Sequence, residues 1–101
     1  IIYPEYERLI SFDSVHQSIK AEKVLGQNGM AFYALPTPRE IDISCGQCLL
    51  FKTSQQAAIM QLFAVGKVRW SKLFRRIAVG QTYLYEKITE YGGSHGTAAD
   101  I

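Results

Sequence analysis

The sequence is short of several things at once, and each shortage removes a class of protein. Its 101 residues hold two cysteines, close together in Cys45-Gly46-Gln47-Cys48. A disulfide scaffold calls for wider spacing, because a crosslink stabilises most when it closes a long loop, so local chemistry is the better expectation for this pair. Charge of one sign is not in excess: 11 basic residues oppose 9 acidic ones, for a formal net charge of +2. Such a balance builds no phosphate-binding surface by itself, and nucleic acid is not an expected partner. No apolar run reaches the roughly 18 to 20 residues of a membrane span. The start, Ile1-Ile2-Tyr3-Pro4-Glu5, lacks the basic and apolar regions of a signal peptide. A cytoplasmic protein with no membrane partner is expected.

What is present suits one small core. Apolar residues make up 48% of the chain, enough at this length for a single ordinary domain. Residues 5–12 alternate as a half-buried strand, with Tyr6, Ile10 and Phe12 on one face and Leu9 on the other. Ser14 and Gln17 then read as a capping box that starts a helix running to about Leu25. Gly26 and Asn28-Gly29 end it and turn the chain into a second strand, residues 30–35. Pro36 and Pro38 cannot donate to a ladder, so pairing should stop at Leu35 and a stiff loop should follow.

A third, buried strand is expected over Cys48-Leu49-Leu50-Phe51. Thr53 with Gln56 should cap a second helix whose apolar stripe, Ala58, Ile59, Leu62 and Phe63, stops near Gly66. A fourth strand is expected over residues 72–79. The order is β-α-β-β-α-β, that of an α+β ferredoxin-like sandwich with two helices on one face of an antiparallel sheet. This domain is assigned to residues 1–80, with 81–101 as a C-terminal extension. In it, residues 81–91 suit either a short helix or a strand, and Gly92-Gly93-Ser94-His95 leads a flexible tail.

One stretch carries a family likeness. The segments Phe12-Asp13-Ser14-Val15-His16, Leu35-Pro36-Thr37-Pro38-Arg39 and Ser44-Cys45-Gly46 resemble the selenium/sulfur (Se/S) carrier protein-like family, formerly a domain of unknown function. The likeness covers roughly residues 6–79. Membership implies a carrier rather than a true enzyme. It implies a sulfur or selenium atom held transiently on the cysteine before glycine, here Cys45, with no resident cofactor. The implied partners are a protein donor, such as a cysteine desulfurase, and a protein acceptor. Cys48 departs from the simple apolar residue many relatives would have there.

A carrier requires a nucleophilic thiolate, and free cysteine titrates near ~8.5 unless cations or free N–H groups lower it. Arg39 is placed to supply positive charge in the proline-stiffened loop, and Gly46 allows close backbone approach and free amides beside the sulfur. Against this stands the possibility that Cys45 is simply a small buried residue. Cys45 and Cys48 also have the spacing of a redox dithiol, although the apolar run after them reads as strand and not as the helix such a motif opens, and on either reading Cys48 could release carried sulfur by attacking a Cys45 persulfide. Two cysteines with His16 and His95 make a poor zinc site.

At 100° per residue Val15, Ser18, Ile19 and Leu25 share one side of the first helix, and Glu22 falls within it. A carboxylate aimed at the sheet needs a partner, with Arg39 or Lys52 as candidates, unless it reaches solvent at the rim. His16 is expected to be exposed. Lys67, Trp70, Lys72 and Arg75-Arg76 resemble an RNA-binding stretch, but strand alternation sends the two arginines to opposite faces. Tyr83, Tyr85 and Tyr91 suit a packed or dimeric surface, and an open sheet edge leaves room for a homodimer.

Overall fold

The computed structural model describes residues 6–38 and 46–91. Along the chain run β1 (Arg8–Ser11), α1 (Val15–Gln27), β2 (Tyr33–Pro36), β3 (Gln47–Phe51), a 3-10 turn (Thr53–Gln55), α2 (Gln56–Val65), β4 (Lys72–Val79) and β5 (Thr82–Glu90). All strand pairs are antiparallel and form one sheet in the order β2-β3-β1-β4-β5. The α+β class is as expected. The sheet differs from the expected four-stranded arrangement in strand count and order, because residues 82–90 pair along β4 as a fifth strand. No helix among the described residues is long and apolar enough to cross a membrane.

Local chemistry explains most of the boundaries. Ser14 is extended and accepts a hydrogen bond from the Gln17 N–H at 3.3 Å, satisfying one of the amides that a helix start leaves free. The reciprocal half of the capping box does not form. Instead, the Gln17 side chain reaches away and its Oε1 accepts from the Arg69 N–H at 2.7 Å. Helix α1 runs past Gly26 to Gln27. There Asn28 Nδ2 donates to the Val24 carbonyl at 2.8 Å, and Gly29, with φ +69°, takes the left-handed conformation that turns the chain.

Two other starts differ from the sequence reading. Pro36 does pair, opposite Gln47, because β2 is an edge strand and tolerates a residue without an N–H. Thr53 opens a 3-10 turn, not α2, and its Oγ1 donates to Glu7 Oε1 at 3.2 Å. No side chain caps α2, whose Gln56 instead accepts from Arg8 Nε at 2.6 Å.

Both helices cover the same face of the sheet. Ile10, Leu49, Phe51 and Leu73 point from the strands into a cluster with Ala21 and Leu25 of α1 and Ile59 and Phe63 of α2. Alternation sends Leu9, Cys48, Leu50 and Phe74 to the opposite face, where Tyr6, Leu35 and Tyr85 pack against them. Tyr6 therefore lies with Leu9 and not with Ile10, since β1 begins at Arg8 and its alternation does not extend back that far. On α1 the inward line is Ser18, Ala21 and Leu25. Val15 and Ile19, expected inside, are 56% and 54% exposed. Ala58 of α2 is exposed as well, since Ile59 and Phe63, one turn apart, define the buried line of that helix.

The two ends of the β4–β5 hairpin are held differently. Gly80 occupies its turn with φ +61°. Arg75 is exposed and pairs with Glu86 at 2.7 Å, while Arg76 is 7% exposed and stacks 3.9 Å from the Tyr83 ring centroid. The two arginines do lie on opposite faces. Trp70 meets Tyr91 edge to face at 5.6 Å, so all three tyrosines of the last strand region are engaged in packing. Because Phe63 is fully buried between sheet and helix, Phe63→Ala should cost about 3–5 kcal/mol in urea denaturation. Val15→Ala, on the exposed side of α1, should stay within about 0.5 kcal/mol.

Candidate functional site

The site is framed by the strands on either side of the connection that carries Cys45. Pro36 pairs with Gln47 and the Thr37 N–H donates to the Gly46 carbonyl at 3.1 Å, so the two stems of the connection are tied by backbone. Arg39 and Cys45 lie in residues 39–45, outside the described residues. Gly46, the neighbour of Cys45, is exposed. A Cβ built there would meet no described atom within 4 Å, so the backbone beside the cysteine borders open space. A groove of about 360 Å³, lined by Val15, Ala34, Leu35, Pro36, Gly46 and Gln47, runs along this point. Exposed Val15 thus forms a wall of the groove where the sequence reading had it in the core.

Gln47 ties the first residue of β3 to the helix layer. Alternation places it on the same face as Leu49 and Phe51, toward α1. Its Nε2 donates to Glu22 Oε2 at 2.9 Å, and Ser18 Oγ approaches its Oε1 at 3.4 Å while donating to the Val15 carbonyl at 2.9 Å. Glu22 is half-buried. Its carboxylate does aim at the sheet, but its partner is this neutral amide and not Lys52. Lys52 follows the far end of β3, where its Nζ sits 5.5 Å from the Tyr6 ring centroid. The sequence places Ser18 on the inward side of α1, as found, but assigns no site role to it or to Gln47. A polar residue right after Gly46, in phase with Leu49 and Phe51, was the available signal.

The remaining candidates are placed apart. Cys48 is fully buried, with neighbours in the Leu9, Leu50 and Phe74 cluster and its Sγ 3.9 Å from the Pro36 carbonyl oxygen. It therefore faces away from α1, on the side of the sheet opposite Gln47. His16 is exposed in the first turn of α1. His95 lies outside the described residues. Among the described residues there is no group of three or more histidine, cysteine or acidic side chains that could hold a metal ion.

A family model described as "Putative Se/S carrier protein-like" matches residues 7–75. No curated protein and no solved structure matches the chain.

Two measurements check this geometry. Gln47→Ala leaves a half-buried carboxylate without its donor and should lower stability by about 1–2 kcal/mol in chemical denaturation. A double-mutant cycle with Glu22→Ala should give a coupling of about 0.5 kcal/mol or more. In a Cys45→Ser protein, the Cys48 thiol should react with a disulfide reagent such as DTNB only as fast as the chain unfolds, and at once in denaturant.

Proposed function

The chain belongs to the Se/S carrier protein-like family, and on that premise we propose that it carries sulfur or selenium on Cys45 between a protein donor and a protein acceptor. The Cys45 thiolate attacks the outer sulfur of a donor persulfide. The new sulfur–sulfur bond forms as the donor's breaks, and the donor cysteine leaves as a thiolate, so no external oxidant or reductant is needed. Delivery is the same exchange in reverse toward an acceptor thiolate, and selenium moves through the equivalent selenosulfide. The observation that supports this reading is the exposed, open backbone at Gly46 with a groove beside it. A carried atom needs room and approach for two successive partners.

In this proposal Arg39 supplies positive charge to the anionic sulfur, and Pro36 to Pro38 stiffen the connection on which both residues ride. Glu22, through Gln47, fixes the start of β3, the strand that the Cys45-Gly46 segment enters. It is a positioning residue. Strands β1 to β4 with α1 and α2 are read as a ferredoxin-like core, with β5 appended at the β4 edge. Cys48 belongs to the core and not to the exchange, because a Cys45–Cys48 disulfide would require its sulfur to leave a fully buried cluster.

Incubation with a cysteine desulfurase and cysteine, followed by intact-mass spectrometry under non-reducing conditions, should show the gain of one sulfur. The gain should vanish in Cys45→Ser and persist in Cys48→Ala. A Cys45 thiol inert to alkylation in the folded protein, with no sulfur gained from any donor, would instead make this a non-catalytic interaction module on the same scaffold. A reversible Cys45–Cys48 disulfide under mild oxidant would make it a redox dithiol.

A further inference from the structure

A second, larger groove lies at the C-terminal end of α2. It encloses about 690 Å³, with Phe63, Val68, Trp70 and Tyr91 among the apolar residues of its wall and Lys67 and Arg69 as its charged ones. Among the described residues no acidic side chain lines it. Lys67, two residues past the end of α2, takes the left-handed conformation, φ 59°, while the Val68 N–H returns to the Phe63 carbonyl at 2.9 Å, so the backbone fixes where the lysine leaves the chain. Lys20 of α1 joins this cluster, its Nζ donating to the Lys67 carbonyl at 3.0 Å. Among the described residues, none of these three cations pairs with a carboxylate. They gather in a chain whose formal net charge is only +2, which makes the concentration local and not a reflection of bulk composition.

The groove is coupled to the carrier site through consecutive residues. Gln17 Oε1 accepts from the backbone N–H of Arg69 at 2.7 Å, and Ser18, the next residue of α1, approaches Gln47 Oε1 at 3.4 Å. The first turn of α1 thus separates the cationic groove from the strand that follows Cys45-Gly46. A partner bound in the groove would lie across the first turn of α1 from the start of β3.

We propose that this groove docks an acidic peptide segment of a partner protein, one that presents an apolar or aromatic side chain to Trp70 and Tyr91 and carboxylates to Lys67, Arg69 and Lys20. The occupant follows from charge complementarity. An aromatic wall buries an anchor side chain, as interface centres do, and cations drawn from α1 and from two positions of the loop after α2 suit an extended segment better than a compact ligand. Such charges also speed encounter and align the incoming partner. The identity of that partner as a sulfur donor or acceptor rests on the carrier reading; the docking chemistry does not.

The test uses the full chain and an N-acetylated, C-amidated peptide alternating aspartate with leucine around one central phenylalanine. Trp70 is the single tryptophan of the chain, so its emission reports occupancy directly. The expected result is a saturable change that weakens with added salt and is absent for a peptide with serine in place of the apolar residues. Lys67→Gly with Arg69→Glu, two substitutions that spare the Gln17 contact and the left-handed backbone, should weaken binding by about tenfold. The same double variant should slow sulfur loading from a desulfurase but not from glutathione persulfide. Binding should be unchanged in Cys45→Ser, so failure of the carrier reading would appear as lost sulfur gain with binding intact. The proposal is overturned by no saturable change, by equal affinity for a lysine-for-aspartate peptide, by unaltered affinity in the double variant, or by a dimer that the peptide dissociates.

Discussion

The register of β3 is the constraint from which the rest of the molecule follows. Cys48 sits opposite Ser11 of β1 on one side and Leu35 of β2 on the other. With both neighbours fixed, alternation has no freedom: Gln47, Leu49 and Phe51 face the helices, and Cys48 and Leu50 face away. A slip by one residue would exchange these sets, moving a polar amide out of reach of α1 and two apolar side chains into the wrong layer. Since the connection bearing Cys45 enters β3 directly through Gly46, the same register positions the candidate site.

Burial on both faces distinguishes this sheet from one that faces water on one side. The helix-covered face is built mainly from aliphatic and phenylalanine side chains with Trp70, whereas the other gathers Tyr6, Leu35 and Tyr85 around a smaller apolar centre. Tyrosine suits the second role, because its ring covers apolar area while its hydroxyl can remain with polar partners. Arg76 follows the same logic in reverse: its planar guanidinium lies on the Tyr83 ring, which lets a cation be 7% exposed in a sheet of modest size.

Much of the fold was legible because it rests on short-range signals. The Ser14 cap and the apolar stretch of β3 are local patterns, and α1 and β3 lie close to where those patterns put them. The differences have separate causes. At Val15 and Tyr6 a periodicity is extended to or past the end of an element, where the chain is leaving the layer that imposes it, whereas Ile19 lies within α1 but off the Ser18, Ala21 and Leu25 line that the helix turns inward. Pro36 was treated as a stop because a proline interrupts a central strand, but only the strand order reveals that β2 is an edge. Gln17 and Gln56 were given to helix starts, and in the folded chain both are taken by distant partners, Arg69 and Arg8.

The sequence by itself determined the α+β class, the succession along the chain of the first four strands and two helices, and the family likeness, since periodicity and motifs are properties of neighbouring residues. Only the tertiary structure decided that Cys48 faces away from Gln47 into an apolar cluster and that Glu22 is held by an amide. It also decided that cations from α1 and from the loop after α2 gather around one aromatic groove. Those outcomes depend on which strands pair and how far each helix turns over the sheet, and such contacts join residues tens of positions apart that no local pattern can bring together.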